Sequence, residues 1–443
     1  MKYVEGSKRV FLETGVRFPF SIIWSVCLIK KCAAEVNLGL GLLDRERADS
    51  ISRITDEIMR GEHVSQVTVD VFQTGSGTGL NMNLNELIAE IAESGGVKLH
   101  PNDHVNMSQS SNDVVSTAMR ISAVYAARNT LIPALSELAQ SLRKISSKTA
   151  EVYKAGRTHL RDALPVTLGQ EFGAFADALE HDRTMIEAAL EYSSELPIGG
   201  SAVGTGLNTL PAFGELMVEK ISRETDLVFR PAKDKFRAMR LLTDLVAVSS
   251  GIYSAALDIE RLCQDLRLMF SGPLTGLGEI DIPTQEEVAG SSIMPGKTNP
   301  VTVEAVMLAV AQIIGLDQAN RAAATLGEFE LSMGVPLIGV NLINQISILA
   351  EAANKLSKVV IENIQPDARR MKRYALSSPA LITVISPRIG YEAAAKIGKE
   401  LAKGKSIEEA LAEMGYSKAD LESLLDLSKL VRPGIPSKSG LQH

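Results

Sequence analysis

Apolar and small residues return every seventh position through Lys235 to Phe270, a stretch with no proline and one glycine, Gly251. Leu245, Ile252, Ile259 and Leu266 form one series; Leu242, Ser249, Ala256, Cys263 and Phe270 form a second. Such a seam predicts a long helix in a bundle, and its small members let neighbouring helices approach closely. The same texture runs from Thr117 to Tyr153, Thr167 to Leu196, Pro300 to Leu326 and Pro336 to Ile364. Five long helices with sparse breaks predict an elongated all-α bundle. Seams of this kind are core, and no chemistry is assigned to them.

The two ends of the chain read differently. In the first hundred or so residues the predicted helices are shorter, and breaks cluster at Gly75–Gly79 and Gly95–Asp103. After Pro366, short segments end at Pro379 and Pro387, and a small helical pair is predicted from Tyr391 to Leu430. These changes divide the chain into an N-terminal helical domain (1–108), a long-helix bundle (109–365) and a small C-terminal helical domain (366–443). The polar tail from Pro433 to His443 is expected to be mobile.

Composition narrows the function classes. There are 46 basic and 53 acidic residues and no basic block, which argues against nucleic acid as a partner. Cys27, Cys32 and Cys263 form no Cys-x-x-Cys pair, which fits a reducing compartment and disfavours a thiolate-held cluster. The longest apolar run, Phe18 to Ile29, contains Pro19 and is too short to span a bilayer, and no signal-peptide cleavage pattern follows it. The expectation is a soluble cytosolic protein without a membrane partner.

Against this helical background four polar segments stand out, three of them rich in glycine. The first is Thr74-Gly75-Ser76-Gly77-Thr78-Gly79 followed by Asn81, Asn83 and Asn85, where interleaved glycines let backbone donors approach a small anion. It lacks the Gly-Lys-Ser/Thr ending of a phosphate loop. The second is Ser108 to Asp113, and the third Gly199 to Asn208. The fourth is Gly290-Ser291-Ser292-Ile293-Met294-Pro295-Gly296-Lys297-Thr298-Asn299-Pro300, a flexible loop that offers two hydroxyls, a cation and a carboxamide ahead of a helix. Read alone, each could be a connector; Asn299 and Pro300 could simply cap and open that helix. Of the six histidines, His159 is the most suggestive, set in Gly156-Arg157-Thr158-His159 between two helical stretches. No His-Glu-x-x-His or other paired ligand spacing occurs, so no metal and no cofactor are expected.

The segment from Gly290 to Pro300 resembles the signature of the fumarase/aspartase superfamily, and the other segments match the same superfamily in the same order. Thr74 to Glu86 resembles its first characteristic region. His100 to Asp113 resembles the stretch joining a second anion site to the active site, and Gly156 to Gln170 the region of the catalytic histidine. The likeness runs from about Ala33 to Ser386. Gly296 before Lys297, together with the Gly199–Asn208 loop, is closest to the class II, iron-independent fumarate hydratases.

The resemblance implies a three-domain fold with a 20-helix core in a homotetramer, each active site shared by three subunits. It implies reversible hydration of fumarate to (S)-malate, a tricarboxylic acid cycle step, by anti addition or elimination of water through an aci-carboxylate intermediate. By the same resemblance Ser291 is the base, His159 acts on the oxygen side and Glu304 pairs with the histidine. Ser76, Gly77, Thr78, Asn81, Ser110, Ser111, Asn112, Thr158, Ser292, Lys297 and Asn299 would bind substrate. His100, Pro101, Asn102 and Asp103 would form the second anion site. Met107, Leu210 and Leu274 depart from residues frequent in the family. Alternatives are an aspartate ammonia-lyase, an adenylosuccinate or argininosuccinate lyase, and a non-catalytic protein on the same scaffold.

Overall fold

The computed structural model describes residues 2–288, 290–401 and 403–434; the expected mobile tail lies, from Ile435 on, outside them. Helices dominate, as the seams predict. Strands among the described residues form only four two-stranded sheets.

Two compact units are present, the first built from Met1–Leu135, His181–Leu257 and Leu308–Ala352. Its Phe20–Gly39 helix is apolar on every side and buries Ile22, Val26, Cys27, Ile29 and Cys32 completely. Trp24 on that helix stacks on Tyr125, ring centroids 5.0 Å apart. Thr117 falls within a helical run of Ser111–Ala126, a π-turn at Ala127–Leu131, and Ile132–Lys148. The predicted Lys235–Phe270 helix is broken: Lys235–Arg240 stops at an extended Leu241, and Thr243–Phe270 begins after it. The break places Asp244 in the first turn of the longer helix, where a carboxylate suits the dipole. Fully buried Arg120 holds it through two hydrogen bonds of 2.8 and 3.1 Å. Ser249, a small seam residue, is also a buried polar node, 2.8 Å from Asp317 Oδ1 and accepting from Asn320 Nδ2 at 3.0 Å.

The second unit comprises Ser136–Glu180, Asp258–Met307 and the chain from Ala353 onward. Within it an antiparallel hairpin, β1 (Tyr153–Thr158) and β2 (Arg161–Thr167), occupies sequence that read as helix end and loop. The C-terminal region holds four short helices rather than a pair: Tyr391–Leu401, Ile407–Glu413, Lys418–Leu424 and Leu427–Leu430. Capping boxes at Ser406 with Glu409 and Ser417 with Asp420 start the second and third. Leu381, Ile385, Ile397 and Leu411 form their common core. Pro387 lies inside the Ile382–Ile389 helix instead of ending a segment.

Two helical stretches among the described residues are long and apolar enough to cross a membrane by length and composition. Val335–Asn363 is 72% buried, as a core helix is; Val301–Ala323 is only 28% buried.

Candidate active site

In the first unit, three of the four polar segments meet. Gly77 adopts a left-handed φ of 75° as the residue before the Thr78–Ser94 helix, and a Cβ there would lie 2.6 Å from Val115. The tight turn brings the Ser76 and Thr78 hydroxyls to 2.8 Å of each other. Asn81, one turn into the helix, is fully buried and donates to Asn106 Oδ1 (3.1 Å) and Ser111 Oγ (3.0 Å). Asn83 points elsewhere, to the Thr68 N–H and Gln66 carbonyl, and Asn85 contacts Met82, so neither joins the cluster.

Asp113 ties the second segment to the third. Its Oδ1 accepts from Ser110 N–H at 2.9 Å, closing a capping box on the Ser111–Ala126 helix. Its Oδ2 accepts from Gly199 N–H (3.0 Å) and Ser201 N–H (2.9 Å). Burial pushes this carboxyl up to about 6, opposed by those N–H donors and by Lys30. Asn112 donates to the Ala202 carbonyl at 2.8 Å. Ser110, Ser111 and Asn112 thus line the start of one helix, with the glycine-rich loop fastened beside them.

The second unit carries the other chemistry. The Ser291 hydroxyl oxygen accepts from Ile293 N–H (3.3 Å) and Met294 N–H (3.0 Å). Gly290 has no room for a side chain: a Cβ there would lie 2.4 Å from the Lys297 carbonyl. The Asn299 carboxamide donates to the Gly290 carbonyl, closing the loop rather than capping the helix that begins at Val301. Ser292 and Lys297 are exposed, and Ile293 and Met294 are 83% and 50% exposed at the tip.

His159 and Leu160 form the two-residue turn between β1 and β2, with φ of 54° and 58°. Positive φ at both central residues matches the primed hairpin turn, normally made by Asn-Gly, so a His-Leu pair stores strain there. A bulge at Gly156 breaks the strand alternation and turns Lys154 and Arg157 towards the same buried acid, Glu279. Arg157 Nη2 donates to Glu279 Oε1 at 2.9 Å, and Lys154 Nζ lies 3.1 Å from Oε2. Thr158 and His159 project beyond this anchor, exposed. Glu304, in the first turn of the Val301–Ala323 helix, lies 3.9 Å from Arg267, and no ion pair joins it to His159 among the described residues of the chain. His100, Asn102 and Asp103 are exposed, with Pro101 partly so; His100 Nδ1 accepts from Asp103 N–H at 3.1 Å, the first turn of a short π-helix.

Residues 6–315 match the family described as "Lyase", and residues 381–432 the one described as "Fumarase C C-terminus". A Saccharolobus solfataricus protein named "Fumarate hydratase class II" is 57% identical over 439 residues, 99% of this chain and 100% of that one. The chain belongs to the class II fumarate hydratase family. A Corynebacterium glutamicum protein of the same name is 45% identical over 390 residues, covering 88% of this chain and 82% of its own. The solved class II fumarase of Schistosoma mansoni superposes with a TM-score of 0.92 at 31% identity, covering 97% of this chain and 94% of its own.

Sequence reasoning missed two buried ions of this family member. Lys30 is fully buried and donates to Asn106 Oδ1 (2.8 Å) and Gln109 Oε1 (3.0 Å). Its signal was a lysine in a helix apolar all round, where a charge must find partners. Glu279 is also fully buried; nothing in its local sequence marks it.

Proposed function

We propose that the chain catalyses the reversible hydration of fumarate to (S)-malate. The observation that carries this reading is the Ser291 hydroxyl aimed at by two backbone N–H groups. Such donors stabilise an alkoxide and lower the barrier to forming it, as oxyanion donors do. In the dehydration direction Ser291 Oγ takes the C3 proton of malate. The electron pair moves into the adjacent carboxylate, giving a dianionic aci-carboxylate. That pair then forms the C2–C3 double bond while the C2 hydroxyl leaves, protonated on the His159 side as water. Lys297 neutralises one substrate carboxylate, with Ser292 and Asn299 beside it. Ser76, Gly77, Thr78, Asn81, Ser110, Ser111, Asn112 and Thr158 supply the remaining hydrogen-bonding wall.

The reading includes a homotetramer whose active sites draw on three subunits. The Val301–Ala323 helix supports it, with mean hydropathy 1.4 and 28% burial in one chain, an apolar surface suited to other copies. A shared site also gives Glu304 its histidine from another subunit. A second anion site at His100, Pro101, Asn102 and Asp103 belongs to the same reading, with the exposed imidazole of His100 as its candidate donor. Three buried free thiols suit a cytosolic enzyme.

The test follows loss of fumarate absorbance with water or with ammonium, EDTA present. Consumption without ammonium is the expected result; activity only with ammonium overturns the reading in favour of an aspartate ammonia-lyase. Ser291→Ala lowers turnover by at least ~100-fold, and an unchanged rate removes Ser291 from the mechanism.

A further inference from the structure

We infer that Lys30 is a positioning residue for substrate, anchoring a relay of hydrogen bonds that ends on the Ser111 hydroxyl. The inference rests on the proposed substrate-binding role of Ser111. It starts from the number of donors and acceptors available in one buried polar cluster.

Lys30 belongs to the Phe20–Gly39 helix and is fully buried. Its Nζ lies 2.8 Å from Asn106 Oδ1 and 3.0 Å from Gln109 Oε1, both carbonyl oxygens that can only accept. The amine therefore donates to both, and it keeps enough N–H bonds to do so with or without its third proton. Burial lowers it to about 7, while Asp113 and Cys27 pull it up.

The bonds beyond it run in the same direction. Because Asn106 Oδ1 faces Lys30, Asn106 Nδ2 faces the other way and donates to the Gln109 carbonyl at 3.2 Å. Gln109 is oriented likewise, its Nε2 donating to the carbonyls of Val105 (3.2 Å) and Met107 (3.0 Å). Asn106 Oδ1 also accepts from Asn81 Nδ2 at 3.1 Å, which turns the Asn81 amide nitrogen towards Ser111. Asn81 Nδ2 then donates to Ser111 Oγ at 3.0 Å. A hydroxyl that accepts at its oxygen has its own proton free to donate, and Ser111 is only half-buried. The relay delivers an outward hydroxyl donor, the polarity that an anionic carboxylate requires. Asn81 Oδ1, buried without a partner, marks the same amide as oriented by the relay rather than by its own best hydrogen bonding. Reversing any amide would put carbonyl against carbonyl, and the lysine makes that reversal unfavourable. An apolar residue at position 30 would strip Gln109 Oε1 of its donor and leave Asn106 Oδ1 held by Asn81 alone, loosening the relay behind Ser111.

The experiment is a double-mutant cycle read as KM and kcat for malate, with thermal unfolding as a check on the fold. Lys30→Met is expected to raise KM about tenfold, the effect of leaving a buried acceptor unpaired and the relay behind Ser111 unanchored. It should have a smaller effect on kcat, and adding it to Ser111→Ala should change KM no further. Equal effects in both backgrounds overturn the inference, because a general loosening of the fold would add to the serine change. An unchanged KM in folded Lys30→Met also overturns it. If Ser111→Ala itself leaves KM unchanged, the substrate-binding reading of Ser111 fails, and the relay's role fails with it. Should Lys30→Met not fold, Asn106→Ala cuts the same relay one bond further on, and the same non-additivity with Ser111→Ala is required.

Discussion

Lys30 and Asp113 are a cation and an acid buried in the same helical layer, and their titration leaves a signature on stability. Desolvation lowers Lys30 from 10.5 to about 7, against opposing pulls from Asp113 and Cys27. Between those values the unfolded chain holds a proton that the folded chain has released, so stability rises with pH across this window. Asp113 runs the other way. Desolvation raises it from 3.8 to about 6, so its contribution is fully present below the lower value and is lost as pH climbs through the upper one. The melting temperature of wild type relative to Lys30→Met is expected to climb between pH 7 and 10.5. Relative to Asp113→Asn it is expected to fall between 3.8 and 6. A pH-independent gap in either window would show that the group keeps its ordinary titration in the folded protein.

At the scale of elements, the His159 hairpin is the part the sequence disclosed least. Long helices announce themselves by heptad seams, the Ser291 segment by its glycines and hydroxyls, and the Asp113 segment by its run of small polar residues. The C-terminal segment read as one pair of helices because the capping boxes that start two more, Ser406 with Glu409 and Ser417 with Asp420, were not read. The turn at His159–Leu160 has neither glycine nor asparagine, so the ordinary hairpin signal is missing. Its conformation is imposed by the bulge at Gly156 and by Glu279, which sits 122 residues from Arg157. Glu279 also leads directly into Ile280–Asp281, the strand ahead of the Ser291 loop. Glu279→Gln leaves Lys154 and Arg157 facing a neutral amide, and only Lys154 has a second acid, Glu171 at 2.7 Å. Breaking such a buried ion cluster is expected to cost about 3 kcal/mol. Hydrogen exchange should report it as lost amide protection from Tyr153 to Thr167, with the C-terminal helices unchanged. Uniform loss across the chain would mean that Glu279 supports the fold at large rather than the hairpin.

At the scale of the whole molecule, the proposed oligomer is the element to test. Ser291 and His159 lie in one unit without a hydrogen bond between them among the described residues, and Glu304 faces Arg267 instead of the histidine. The helix that carries Glu304 leaves Leu308 75% exposed, one turn further on. The proposed homotetramer would answer both features, covering the apolar helix surface and bringing a histidine to Glu304. If each site takes its serine and its histidine from different subunits, two dead variants can rescue each other. Ser291→Ala supplies intact histidines, His159→Ala supplies intact serines, and random exchange at equal amounts completes about a quarter of the sites. Recovery to that level, after mass spectrometry confirms mixed oligomers, is the expected outcome; no recovery in confirmed hybrids defeats the shared-site geometry. Leu308→Asp probes the same assembly from its surface. A charge placed in an apolar contact should dissociate the oligomer in sedimentation velocity and abolish turnover together. Monomers that retain full activity would place the whole site within one chain.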